Sequence, residues 1–142
     1  MARASQILGA AFEQHIQRTA TLPVWVKVPT ARTRTGKAQA GSIWLDYFGA
    51  TSRGRFVTAD AKWCPDGRVV KSVLSSKQQG HADAALAAHA LVYVLAGFMD
   101  GDEVQVALVP WRVLRERSVA ARDFLAVDWC AAIEADDESK CS

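Results

Sequence analysis

The sequence has no apolar run of about 18 residues, the length that a membrane-spanning helix needs. Its first residues lead into an amphipathic stretch that Glu13, Gln14 and His15 interrupt, so they do not form the apolar core of a signal peptide. We therefore expect neither a membrane-spanning segment nor secretion. The protein is expected in the cytoplasm.

Cysteine is also scarce, and its pattern excludes a disulfide scaffold. The three cysteines, Cys64, Cys130 and Cys141, form no CxxC pair, and an odd number fits poorly with a disulfide framework. The three histidines are too dispersed for a zinc site, which needs closely spaced nitrogen or sulfur ligands. No glycine-rich loop of the form GxxxxGK(S/T) is present, so nucleotide hydrolysis is not expected.

The composition is that of one folded domain. Of the 142 residues, 50% are hydrophobic and 23% are charged, which is typical of a globular protein and not of a disordered one. A chain of this length buries a core without disulfides. Because no internal repeat or second domain is visible, we interpret residues 1–142 as a single domain.

Charge is unevenly distributed along the chain, although the net charge is only +2. Between Lys27 and Lys77 there are ten basic residues and three acidic ones, which indicates a phosphate-binding face. From Arg122 onward there are six acids and two bases, and we expect the acidic tail from about residue 134 to be frayed. The alternative is that these charges only solubilise the surface.

Hydrophobic periodicity predicts an α/β protein with the order helix, three strands, helix, two strands, helix, that is, a mixed five-stranded sheet flanked by helices. Helices are expected from Ser5, as N-cap, to Thr19, from residue 75 or 76 to about 88, and from about 111. Asp100-Gly101 is interpreted as a hairpin turn. Residues 30–41 are expected to form a basic loop, and residues 120–133 are ambiguous. The predicted strands span residues 23–30, 42–49, 54–63, 90–99 and 104–109.

Two carboxylates stand at matching places in the second and third predicted strands. If these strands form an antiparallel hairpin that turns at about Arg53, Asp46 lies directly across from Asp60. Lys62 shares the face of Asp60, because side chains alternate along a strand. Two carboxylates that close repel each other unless a cation lies between them, and oxygen ligands suit Mg²⁺ or Mn²⁺. With a lysine beside the ion, this set favours metal-assisted phosphodiester hydrolysis, so the sequence indicates a nuclease.

Four short segments carry a recognisable pattern: Gly9-Ala10-Ala11-Phe12-Glu13, Asp46-Tyr47-Phe48-Gly49, Asp60-Ala61-Lys62 and Leu74-Ser75-Ser76-Lys77-Gln78-Gln79-Gly80-His81. In this order, over about residues 8–114, they resemble the RecU-type Holliday-junction resolvases, including their shorter phage-encoded forms. These enzymes belong to the PD-(D/E)XK nuclease superfamily, so the resemblance implies a restriction-endonuclease-like fold. The third segment departs from the family pattern Glu-Ala-Lys, because Asp60 is one methylene shorter than glutamate. The ion must then lie closer to the strand, or a water must bridge the gap.

The resemblance implies a homodimeric endonuclease that depends on Mg²⁺, with Mn²⁺ as a substitute, and that cuts symmetric strands of a four-way DNA junction. It implies that Asp46, Asp60, Glu13 and the carbonyl of Ala61 hold the metal. In the family, the loop that corresponds to residues 30–41 enters the centre of the junction.

The same resemblance assigns catalytic roles to Lys62, Gln78 and Glu13. Lys62 is expected to orient the attacking water or to stabilise charge on phosphorus, and Gln78 to support a phosphate oxygen or the nucleophile. The spacing Gln-x-x-His selects Gln78 over Gln79. Contacts to DNA phosphates are expected from Arg32, Arg34, Lys37, Arg53, Arg55 and Lys77.

Two other functions remain open from the sequence. The protein could be another nuclease of the superfamily that acts on duplex or flap DNA. It could also be a DNA-binding module that keeps the fold without catalysis. The sequence leaves open the preferred cleavage sequence, the number of metal ions and the role of residues 118–142.

Overall fold

The computed structural model describes residues 2–29 and 45–141, in which helices and strands alternate much as the sequence predicts. Two short 3-10 turns, Lys71–Val73 and Ala121–Phe124, complete these elements. In chain order the helices and strands are α1 (Ala2–Thr19), β1 (Val24–Lys27), β2 (Tyr47–Ala50), β3 (Phe56–Trp63), β4 (Arg68–Val69), α2 (Ser76–Ala87), β5 (Leu91–Asp100), β6 (Glu103–Pro110), α3 (Trp111–Leu114), β7 (Val119–Ala120) and α4 (Trp129–Cys141).

The central sheet has the strand order β1-β2-β3-β5-β6. Strands β3 and β5 run parallel, and the other neighbours are antiparallel. A parallel pair needs a crossover connection, which α2 provides. The mixed five-stranded sheet flanked by helices is therefore confirmed. Strands β4 and β7 form a separate two-stranded sheet.

The core has two layers, one on each face of the sheet. Helices α1 and α4 pack on one face, and α2 and α3 pack on the other. Strand β5 shows how one strand serves both layers, because its side chains alternate between the faces. Val92 and Val94 belong to the layer of α2, whereas Tyr93 and Leu95 belong to the layer of α1. A strand that is covered on both faces reads as a continuous apolar run, which is how the sequence shows it.

The turns differ from the prediction in one detail. Strands β2 and β3 are joined near Arg53, as predicted, and Gly54 has φ of 84°, a left-handed conformation that glycine adopts without steric cost. The β5–β6 turn is formed by Gly101 and Asp102, because Asp100 still pairs with Glu103. The prediction that placed this turn at Asp100-Gly101 was wrong by one residue.

The two ends of the chain are more ordered than the sequence predicts. Helix α1 begins at Ala2, so Ser5 lies inside it and the assignment of Ser5 as N-cap was wrong. The prediction of a frayed tail from about residue 134 was also wrong, since α4 continues to Cys141. Asp137 in that helix is buried and accepts a hydrogen bond from Thr51 at 2.6 Å.

Two further sequence-based expectations concern the loop and the membrane. The predicted loop at residues 30–41, which carries Arg32, Arg34 and Lys37, lies outside the described residues. Among residues 2–29 and 45–141, no helix is long and apolar enough to cross a membrane.

Candidate metal centre

Asp46 and Asp60 meet at one end of the β2–β3 hairpin. The strands pair Tyr47 with Ala59, and the same register places Asp46 opposite Asp60. The backbone N–H of Asp46 donates a hydrogen bond to Oδ1 of Asp60 at 2.9 Å. The backbone N–H of Ala61 donates to Oδ2 of Asp46 at 3.2 Å. Each carboxylate is therefore held by the main chain of the other strand, and the two lie together.

Asp60 is the most perturbed acid of this centre. Its side chain is fully buried, and burial raises its pKa to about 7, with the negative charge of Asp46 adding to the effect. The Lys62 ammonium lies 2.9 Å from Oδ2 and opposes this rise. Both the charge of Lys62 and its hydrogen bond to Asp60 act in this direction. When both carboxylates are ionised, a single ammonium faces two negative charges, so the centre is undersupplied with positive charge.

Lys62 remains charged despite its partial burial. Burial alone would lower its pKa, but Asp60 and then Asp46 and Glu13 outweigh that effect and raise the pKa of Lys62. A charged ammonium next to a pair of carboxylates is available to a phosphate that approaches them. Lys62 follows Asp60 by two residues, so strand alternation puts both on one face.

The first turn of helix α2 carries a glutamine that reaches this centre. The Gln78 side chain donates from Nε2 to Oδ1 of Asp60 at 3.4 Å. Its position is set by a capping box. The backbone N–H of Gln78 donates to the Ser75 hydroxyl, and the backbone N–H of Ser75 donates to the side-chain Oε1 of Gln78. Gln79 instead donates to the backbone carbonyls of Lys71 and Leu74. The structure therefore brings Gln78, and not Gln79, to Asp60.

Glu13 lies near the centre but is paired elsewhere. Its carboxylate is 3.6 Å from the Lys27 ammonium, and that ammonium lies 5.4 Å from the centre of the Tyr47 ring. The Tyr47 hydroxyl donates to the Glu13 backbone carbonyl at 3.3 Å, while burial and then the Glu13 charge raise the tyrosine pKa. Within the described ranges, no three side chains of the His, Cys, Asp and Glu types are grouped to hold a metal. Glu13 is therefore not assembled with Asp46 and Asp60.

The predicted DNA contacts divide between the two ends of the sheet. Lys77 is exposed beside Gln78 at the start of α2, near the carboxylates. Arg53 and Arg55 lie at the other end of the β2–β3 hairpin, about 15 Å along β3 from Asp60. Arg55 donates to buried Asp137 at 2.5 Å, which joins the hairpin to α4.

Sequence reasoning missed three contributors to this region. The Ser75 and Gln78 capping box had a signal, the pattern Ser-x-x-Gln before a helix. Lys27 also had one, because alternation in β1 puts it with Trp25 on the face of α1. The pairing of β4 with β7, which brings Arg68 beside Ala120, had none, because it joins residues about 50 positions apart.

The side chains present fit a hard divalent cation. Two carboxylates converge, Asp60 is fully buried with a raised pKa, and the nearby candidate ligands are oxygen atoms. Asp46 and Asp60 would hold such an ion. The roles of Glu13 and of the Ala61 carbonyl as further ligands stay predictions.

No protein-family model matches the sequence, and a search of the curated proteins finds no match either. A search of solved structures does find a similar one, Hjc from Archaeoglobus fulgidus, described as a Holliday junction resolvase from an archaeal hyperthermophile. The two share a TM-score of 0.51 and 13% sequence identity, and the match covers 82% of this chain and 86% of that chain. This chain therefore has the fold of a resolvase nuclease, and the likeness is not specific to the RecU type.

Proposed function

We propose that this protein is a metal-dependent endonuclease that cleaves four-way DNA junctions. The observation that carries the proposal is the convergence of Asp46 and buried Asp60, with the Lys62 ammonium 2.9 Å from Asp60. The fold that the chain shares with a Holliday junction resolvase supports DNA as the substrate. Because fold alone does not define function, we infer hydrolysis from the carboxylate pair.

Each side chain of the centre has a defined task in this proposal. Asp46 and Asp60, with the Ala61 carbonyl, would hold Mg²⁺, for which Mn²⁺ could substitute, and Glu13 would join them on leaving its ion pair with Lys27. When bound, such an ion lowers the pKa of a water and polarises a phosphate. Lys62 stabilises negative charge that develops on the phosphate or orients the attacking water.

Gln78 and the residues around it position the substrate. Its amide, which now donates to Asp60, is close enough to donate to a phosphate oxygen or to the nucleophile instead. Lys77 lies one residue earlier on α2 and is exposed, so it is placed for a backbone phosphate. Arg32, Arg34 and Lys37 would add phosphate contacts from the 30–41 segment.

The finer parts of the assignment belong to the same proposal. By resemblance to RecU-type resolvases, two copies would act together, and each would cut one of two symmetric strands. A cytoplasmic location fits the odd number of cysteines. Recognition by backbone charge would make binding steeply dependent on salt.

The test is cleavage of a synthetic mobile four-way junction with Mg²⁺, compared with linear duplex and flap DNA of the same sequence. We expect symmetric nicks in the junction and weak cutting of the others. Asp46→Asn and Lys62→Met should abolish nicking while junction binding stays within a few fold. Asp102→Asn, the same chemical change at an exposed turn, should leave nicking unchanged.

Three outcomes separate the alternatives. Equal cutting of all three substrates would favour a nuclease with a broader substrate. Junction binding without any Mg²⁺- or Mn²⁺-dependent cleavage would favour a DNA-binding module. Full nicking activity of Asp46→Asn would refute the assignment of this site as the catalytic centre.

A further inference from the structure

The basic side chains of the described residues divide into two groups by their partners. One group has a carboxylate within ion-pair distance, and these are Lys27, Arg53, Arg55, Lys62, Arg112 and Arg115. The other group has no such carboxylate within residues 2–29 and 45–141, and its members include Arg68, Lys71, Lys77, Arg117 and Arg122. All five are exposed, so their charge faces solvent.

Three arginines of this group lie in or next to the small β4–β7 sheet. Arg68 in β4 pairs with Ala120 in β7, and its Nη2 donates to the Ser118 hydroxyl at 2.8 Å. Arg117 precedes that serine, and Arg122 follows β7. We name Arg68, Arg117 and Arg122 the basic ridge.

An open cavity lies between two members of the ridge. Arg68 and Arg122 both line this cavity of about 370 Å³, together with one acidic residue, Asp66, and with Gly67 and Phe98, so the two arginines outnumber the acid. The backbone N–H of residue 121 donates to the Gly67 carbonyl at 2.7 Å, so both walls are tied to each other. Both arginines therefore line one space whose walls are joined by a backbone hydrogen bond.

The ridge continues from the candidate metal centre. Strand β3 ends after Lys62 in a turn that the hydrogen bond from Gly67 N–H to the Cys64 carbonyl closes at 2.9 Å. Arg68 follows this turn six residues after Lys62, a distance of at most about 22 Å. B-DNA rises 3.4 Å along its axis for each phosphate of a strand, so Arg68 lies within about six base-pair steps of Lys62.

The space between ridge and centre also carries positive charge. Lys71 is joined to α2, because its carbonyl accepts from the Gln79 side chain at 3.2 Å. Lys77 lies on the first turn of the same helix, next to Gln78. Lys71 and Lys77 thus add two exposed positive charges to the segment between Arg68 and Gln78.

We propose that the basic ridge binds the phosphate backbone of the DNA duplex arm that adjoins the cleavage point. This inference rests on the proposed function and adds where the arm lies. Arginine is suited to this role, because its planar guanidinium binds phosphate oxygens in pairs. The contacts are to the backbone, so the ridge contributes affinity and orientation without reading sequence.

The experiment measures DNA binding, not cleavage. Fluorescence anisotropy gives the Kd for a labelled four-way junction across a range of salt, with Ca²⁺ in place of Mg²⁺ and the DNA checked to be intact. The variant is Arg68→Gln with Arg122→Gln. The matched control is Arg18→Gln with Lys140→Gln, which removes two exposed charges that lie elsewhere on the surface.

Each lost phosphate contact should reduce the slope of log Kd against log salt by about 0.9. The ridge variant, which loses two contacts, should therefore show a slope that is shallower by about 2. Over the decade from 1 M to 0.1 M salt, a slope change of about 0.9 corresponds to an affinity lower by about eightfold for each lost contact. The control variant should keep the affinity and slope of the wild type within experimental error. Thermal unfolding should show that both variants are folded.

The possible failures are distinct. If the wild type binds the junction and the ridge variant binds it with the same slope, the proposed DNA contact at the ridge is refuted and the proposed function stands. If both variants lose the same affinity, binding reports only net charge and the ridge is again wrong. If the wild type binds no DNA at any salt concentration, both the proposed function and the ridge fail.

Discussion

Asp60→Asn should stabilise the metal-free protein, even though it removes a residue of the candidate centre. The Asp60 carboxylate is fully buried beside Asp46, and burial raises its pKa from an ordinary 3.8 to about 7. Above that pH the folded protein must carry a buried charge that the unfolded chain carries in water. An asparagine keeps the shape and removes this cost. The amide oxygen of the substituted side chain would still accept the hydrogen bond from the Asp46 N–H.

The magnitude follows from linkage between protonation and folding. Because the folded pKa lies above the unfolded one, the protonated form stabilises the folded state below pH 4, and this contribution is lost as pH rises through 7. The difference of about three pKa units, at about 1.4 kcal/mol each, sets a ceiling of about 4 kcal/mol at pH 8. The variant also loses the ion pair with Lys62. We therefore expect a net gain of about 2 kcal/mol at pH 8.

The assay is urea unfolding in EDTA at pH 8 and pH 5, with Asp102→Asn as control. The advantage of Asp60→Asn should shrink from pH 8 to pH 5, because the wild-type carboxyl becomes protonated, whereas the control should follow the wild type at both values. Adding Mg²⁺ at pH 8 should stabilise the wild type and not the variant. A variant that is less stable than the wild type at pH 8, or a gain that does not change with pH, would refute the view that the centre is undersupplied with positive charge.

Three further predictions concern one ion pair at the far end of the hairpin and two side chains near the centre. Arg55→Met should destabilise the fold by about 3–5 kcal/mol in thermal or urea unfolding, because it leaves the buried Asp137 carboxylate without its ion pair; a loss below about 1 kcal/mol would show that the ion pair does not hold α4. Lys27→Met should release Glu13 and tighten Mn²⁺ binding to the DNA-free protein in calorimetry, unless Glu13 has no role at the metal. Ser75→Ala should cost about 1 kcal/mol of unfolding free energy through loss of the helix cap, and should lower nicking more than Mg²⁺ affinity; equal losses in both would argue against a positioning role.

The hairpin that carries the carboxylates could be predicted because its determinants are local. Alternation along two strands and a glycine near the turn define its register, so Asp46 is placed opposite Asp60 by counting from Arg53. The start of α2 is equally local, since the Ser75 and Gln78 capping box lies within four residues. Such short-range rules do not depend on the rest of the fold.

The environment of the charges could not be predicted in this way. Asp137 belongs to a run of acids that reads as a solvated tail, but its partners Thr51 and Arg55 lie more than 80 residues earlier. Only the tertiary fold brings them together. The burial of Asp60 depends likewise on α2 and β5, which follow it in the chain.

The acidic helix α4 changes the meaning of the basic segment between residues 27 and 77. By sequence, every basic residue in that segment counts equally toward a phosphate-binding face. In the fold, α4 supplies carboxylates to the hairpin end of the sheet, where Asp137 pairs with Arg55 and Glu138 with Arg53. Positive charge at that end is compensated, whereas Arg68, Lys71 and Lys77 have no carboxylate within ion-pair distance among the described residues. Under the proposed function, an anionic duplex would be attracted to the end of the sheet that holds the carboxylate pair, because the chain neutralises its own positive charge at the other end.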